Sequence, residues 1–95
     1  MREPIVGKRA DSTSISLLKP GEYTKFDGAW FSRDPWDDET WPPRLSGLAK
    51  HDVVEHEDGT ITVSPSILQQ GGYRLDGTKK DDWHGYLERG VWRSC

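Results

Sequence analysis

Turn formers recur along this sequence so often that they constrain the fold before any other feature: ten glycines and six prolines punctuate 95 residues. Glycine frees the backbone for turns and proline removes a hydrogen-bond donor, so both end regular elements. Helical hydrophobic periodicity is hardly present between them, and the apolar runs that remain have strand length. The fold expected is therefore mainly β. It is a small single domain over residues 1–95, with about five short antiparallel strands, two C-terminal hairpins and long irregular loops.

The runs can be placed one by one. SISLL (14–18) reads as a strand closed by Lys19-Pro20-Gly21, and GAWFSR (28–33) as another, opened by Asp27-Gly28. RLSGLAK (44–50) fits either one helical turn or a short extended link. HDVVEH and TITVS flank Glu57-Asp58-Gly59, a three-residue connection whose final glycine suits the left-handed position of a hairpin loop. In TITVS, Ile61 and Val63 alternate with hydroxyl residues, the period-two pattern of a half-buried strand. Pro65 should end that strand or place it at an edge. Residues 69–82, rich in glycine and charge, read as a long mobile loop, and WHGYL and VWR then flank a second hairpin turn at Glu88-Arg89-Gly90. Residues 1–12 are set apart as a candidate flexible arm; their Arg2, Lys8 and Arg9 are opposite in sign to the acidic segment at 34–41 and are available to pair with it.

Composition narrows the function classes. Only 33% of residues are hydrophobic, yet five Trp, three Tyr and two Phe are present, so a few large rings carry much of the burial. A formal net charge of -3 offers no general attraction to phosphates, which disfavours nucleic acid as a partner. No apolar run reaches the ~18 residues of a membrane span, and the first residues lack a secretory apolar region. A soluble, cytoplasmic protein without a membrane partner is expected. The single cysteine, Cys95, permits no intrachain disulfide and no cysteine zinc cluster.

DGTITVSPSI (58–67), followed after a polar loop by WHGYLERGVW (83–92), resembles the C-terminal half of a family of small β-rich proteins of phage and bacterial genomes. Members are often mislabelled as ammonia monooxygenases, and their biochemical role is unassigned. The resemblance covers roughly residues 51–93. Many members carry a cysteine-rich knuckle suited to structural zinc before the Ser-Pro-Ser-Ile strand; here the corresponding stretch is DPWDDETWPPRLSGLAKH, without cysteine. The comparison implies that Trp36 and Trp41 supply by burial the cohesion zinc supplies elsewhere, since a small domain needs enough core or a staple. It also implies a phage or prophage accessory protein acting in the bacterial host.

The segment DPWDDETWPP (34–43) is the main candidate site. Asp34, Trp36, Asp37, Asp38, Glu39 and Trp41 form either a partner-binding surface, with indoles as anchors and carboxylates steering a basic partner, or a loop whose indoles fold back as core. An alternative site is a small-ligand pocket around Trp83, His84, Tyr86 and Trp92, and a third class is a structural phage component held by homo-oligomer contacts. His51, His56 and His84 have nitrogen ligands suited to zinc, but His51 and His56 are five apart and point to opposite faces of an extended strand, so no metal or other cofactor is expected. No nucleophile motif or phosphate loop is present, and Ser64 and Ser66 around Pro65 suit a turn, so catalysis is not expected. The function expected is non-catalytic binding of a host protein.

Overall fold

Four short turns with left-handed residues set the architecture of the computed structural model, which describes residues 2–11 and 14–95. Asp27-Gly28 and Arg89-Gly90 each place two successive residues at positive φ, 50° and 80° in the first and 45° and 74° in the second. That is the pairing a two-residue hairpin requires, because its twist matches the strands. Gly59 (φ 87°) closes the Glu57-Asp58-Gly59 turn as expected, with its amide donating to His56 O at 3.0 Å, and Gly77 (φ 87°) caps a smaller turn in the 69–82 segment.

The chain is mainly β, with nine strands among the described residues: β1 (Ile5–Val6), β2 (Lys8–Arg9), β3 (Glu22–Phe26), β4 (Ala29–Arg33), β5 (Leu45–Gly47), β6 (Asp52–Glu55), β7 (Ile61–Gln69), β8 (Trp83–Glu88) and β9 (Val91–Ser94). One sheet has the order β1-β9-β8-β7-β6 and the other β2-β3-β4-β5. All neighbours are antiparallel except β2 and β3, which run parallel. Among the described residues no helix is long and apolar enough to cross a membrane.

Several expectations are corrected. SISLL (14–18) holds a 3₁₀ turn over Ile15–Leu17 rather than a strand. The extended alternative is realised at β5, and GEYTKF, unassigned from sequence, supplies β3. The described part of the N-terminal arm is built into the fold: Ile5 and Val6 pair with Trp92 and Val91, then Lys8 and Arg9 pair with Glu22 and Tyr23. Arg9 pairs with Glu55, Nη1 to Oε2 2.7 Å, and not with the acidic segment. Gly7 lets the arm cross from one sheet to the other, because a Cβ there would lie 2.6 Å from the Trp92 ring nitrogen.

Pro65 neither ends β7 nor sits at a sheet edge. Val63 opposes Leu87 and Ile67 opposes Gly85, so four steps along β7 match two along β8, and the surplus holds the proline that cannot donate to the ladder. A two-residue surplus preserves the alternation, which a single one would reverse. Ile61, Val63, Ile67 and Gln69 thus all stay buried. Ile61, Val63 and Ile67 meet Trp83, Leu87 and Trp92 from the same sheet, with Tyr23, Trp30 and Leu48 facing them, in one core cluster. Gly85 is required beneath the Trp83 ring, where a Cβ would come within 2.4 Å of it.

Candidate functional site

The acidic segment follows β4 directly, and its first half turns inward. Asp34 is fully buried; its carboxylate accepts from Arg44 Nε at 2.7 Å and Nη2 at 2.6 Å, and from the Trp36 amide at 3.0 Å. Asp37 is 5% exposed, and its Oδ2 accepts from Arg33 Nε at 2.7 Å and the Arg44 amide at 2.9 Å. Lys80 Nζ stands 2.7 Å from Asp37 Oδ1 and also donates to the carbonyls of Thr40 (2.8 Å) and Pro42 (2.7 Å). Burial pushes the Asp37 carboxyl up, but the Arg44 amide, Lys80 and Arg33 together outweigh it and hold the group below the usual carboxylate range. Burial likewise opposes the charge of Arg44, and Asp34 overrides it.

Asp34 and Asp37 therefore cannot offer charge to a partner, contrary to the expectation for the segment. The reason is that three cations, Arg33, Arg44 and Lys80, meet them inside the fold. Breaking such a buried pair by removing one partner costs about 3–5 kcal/mol.

Asp38 is exposed but committed. It accepts from the Thr40 amide (3.0 Å) and hydroxyl (2.5 Å) and pairs with Arg74, and these contacts lower its pKa, Thr40 foremost. The same local device recurs at Asp58-Gly59-Thr60 and Asp76-Gly77-Thr78, where each aspartate accepts from the threonine amide at 3.0 Å and hydroxyl at 2.6 Å. Three Asp-x-Thr turns thus share one geometry, the side-chain turn that aspartate favours. The repeated spacing was present in the sequence as DET, DGT and DGT.

The two tryptophans of the segment part ways. Trp36 is half-buried and stacks on Trp83 (centroids 5.6 Å, 22°), which meets Trp92 edge-on (5.4 Å, 74°), so three indoles run from the loop into the core. The Arg2 guanidinium lies 5.4 Å from the Trp36 ring, a cation–π contact. Trp41 is 54% exposed, and beside it stands Leu75, 85% exposed. With Thr40, Arg74 and Asp76 they line an open concavity of about 320 Å³. Cohesion in this part of the chain comes from Trp36 and the buried ion pairs, not from Trp41.

Leu75 reaches that position because residues 69–82 are cross-braced, against the expectation of a mobile loop. Tyr73 and Lys79 bridge, the Arg74 amide donates to Thr78 O at 2.8 Å, and the Lys80 amide donates to Gly72 O at 2.9 Å. Arg74 then joins the two loops, donating from Nε to Thr40 Oγ1 at 2.9 Å and from Nη1 to Lys79 O at 3.0 Å. Sequence reasoning missed Arg74, Leu75 and Lys80, since nothing local marks a lysine as 1% exposed or pairs it with an aspartate 43 positions earlier.

The alternative aromatic set does not assemble. Strand alternation sends Trp83 and Trp92 inward, to 2% and 0% exposure, while His84 and Tyr86 stand on the outer face of the sheet. His84 Nε2 is 2.8 Å from Ser66 Oγ, His51 Nε2 donates to Ser66 O at 3.1 Å, and His56 Nε2 is 2.7 Å from Thr62 Oγ1. Among the described residues no three metal-ligating side chains converge. Of the six residues of the acidic segment singled out from the sequence, Glu39 and Trp41 remain open to a partner.

The fold and this geometry define a class: a two-sheet β protein presenting an apolar tip on a frame of buried ion pairs. No family model, curated protein or solved structure matches the chain.

Proposed function

We propose that this protein is a non-catalytic binding module that grips another protein through the tip formed by Trp41 and Leu75, with Glu39 and Asp76 at its rim. The observation that carries the reading is the contrast between the exposure of Trp41 and Leu75 and the rigidity beneath them, where Lys80 and Arg74 fix both loops. Exposing a large indole beside a leucine opposes folding economy unless something covers them, and tryptophan is a preferred interface anchor. Holding the anchor in place before contact lowers the ordering cost of association. Glu39, two residues before Trp41, sits at φ 62°, an uncommon conformation for a residue other than glycine or asparagine.

The partner surface that fits is an apolar socket edged by basic residues. In the setting implied by the Ser-Pro-Ser-Ile and Trp-His-Gly-Tyr-Leu resemblance, the protein is a phage or prophage accessory factor, and that partner is a host protein of the bacterial cytoplasm whose machinery or defence it interferes with. A photo-reactive side chain placed at Leu75 tests the reading against the same group placed at Phe26, an apolar position on the β3–β4 hairpin about as exposed as Trp41 (53% against 54%). Cross-linking to one host protein from position 75 alone is expected. Equal cross-linking from both positions contradicts it.

A further inference from the structure

Arg2 precedes the first strand, yet its guanidinium lies 5.4 Å from the centre of the Trp36 ring. The contact is loosely tethered. Arg2 is exposed and has no ion-pair partner among the described residues, and the strand that follows it carries Ile5 and Val6 at 37% and 80% exposure. Firmer attachment begins at Gly7, whose amide donates to Gly90 O at 2.7 Å. Little buried apolar surface holds residues 2–6 down, the condition under which a segment opens at low cost.

What lies under Arg2 suits a cation. Arg2 and Trp36 line a small cavity of about 110 Å³, and Asp81 and Asp82 stand in the same wall. Deeper in the frame, Asp34, Asp37 and Asp38 share four cations, Arg33, Arg44, Arg74 and Lys80. Asp81 and Asp82 have no ion-pair partner among the described residues, and Asp82 Oδ1 accepts only from the Gly71 amide, at 2.9 Å. Five carboxylates thus face four cations until Arg2 is counted, and one further cation makes the balance even. An indole beside uncompensated carboxylates favours guanidinium over ammonium, because the planar, weakly hydrated group stacks on the ring while its N–H fork meets the acids. Arg2 and Asp82 also line a second, more open cavity of about 500 Å³. The two cavities adjoin at these side chains, so withdrawing Arg2 opens the Trp36 ring to a chain lying in the larger one.

We infer that Trp36, Asp81 and Asp82 form a receptor site for an arginine side chain presented by another protein, and that Arg2 is its built-in occupant, displaced when that arginine binds. The site stands beside the tip, since Arg74 lines both the smaller cavity and the Trp41 concavity, but it does not depend on the tip being a binding surface. Arg2 acts as an internal competitor, lowering the apparent affinity by the fraction of time it holds the site.

NMR titration of isotope-labelled Arg2→Ala protein with N-acetyl-arginine amide tests this, read at the Trp36 indole N–H and the Asp81 and Asp82 amides. Saturable shifts are expected there, and the wild type should bind about tenfold more weakly, as a site about nine-tenths occupied by its own chain does. N-acetyl-citrulline amide, which keeps the shape and lacks the charge, should leave the same signals in place. Adding Asp81→Asn and Asp82→Asn to Arg2→Ala should abolish binding; asparagine keeps the side-chain oxygen that the Gly71 amide uses. Absence of saturable shifts in Arg2→Ala overturns the inference, as do equal affinities of Arg2→Ala and the wild type, an equal response to citrulline, or full binding by the folded triple variant. The arginine–citrulline comparison needs only Arg2→Ala, so it decides the matter even if the triple variant does not fold. Because the probe is a single amino-acid derivative read at Trp36, its failure to bind leaves the reading of the Trp41 tip standing.

Discussion

Lys80 and Asp37 meet 2.7 Å apart in the interior, 43 positions apart in sequence, and join the loop before β8 to the loop after β4. The ammonium is 1% exposed and also holds two carbonyls of the acidic segment, so one side chain fixes the base of the tip.

Removing that ammonium should leave Asp37 with less compensation in a buried site. Lys80→Met is expected to destabilise the protein by about 3–5 kcal/mol. Adding Asp37→Asn should cost less than the sum of the two single changes, because the pair is coupled. Urea unfolding of the four proteins of the cycle gives the coupling; additive costs would contradict the direct pairing.

The lowered pKa of Asp37 sets the sign of an acid effect. A carboxylate whose folded pKa lies below its unfolded value of about 3.9 binds fewer protons when folded, so its contribution is present above that value and is lost as pH falls towards the folded pKa. Stability should hold level from neutrality to about pH 5 and fall below about pH 4. Asp37→Asn should flatten that fall while lowering stability at pH 7. A variant with the wild-type acid slope would show that other carboxylates set it.

Each Asp-x-Thr turn depends on a threonine hydroxyl. Thr60→Val and Thr78→Val should each cost about 0.5–1.5 kcal/mol, and Thr→Ser should restore most of it. Thr40→Val and Thr78→Val should cost more than Thr60→Val, since Arg74 also donates to both of those hydroxyls, at 2.9 Å and 3.2 Å. Thermal melts of the set provide the comparison, with an equal loss at all three sites as the contrary result.

The segment that most invites a functional reading was the one least decided by its own residues. The hairpin at 57–59 was legible because turn and alternation are local, and so was the second C-terminal hairpin. The path of β7 past Pro65 was not, because it depends on how many residues the neighbouring strand sets against it. In the same way Trp36 and Trp41, five positions apart in one acidic stretch, differ only through distant partners: Trp83 stacks under one, and more than half of the other stays exposed. Asp34 and Asp37 looked like steering charges until Arg44 and Lys80 were folded against them.

The most direct measurement is paired stability and partner capture for Trp41→Ala and Trp36→Ala, using tagged protein in host lysate with bound protein identified by mass. For Trp41→Ala the stability change should stay within about 0.5 kcal/mol, as for an exposed site, while the protein retained by wild type is lost. Trp36→Ala should instead lower stability by about 2–4 kcal/mol, less than a fully buried indole, by opening the stack on Trp83. Undiminished capture by a well-folded Trp41→Ala variant would contradict the account, and would show that the exposed indole is not the surface through which this protein acts.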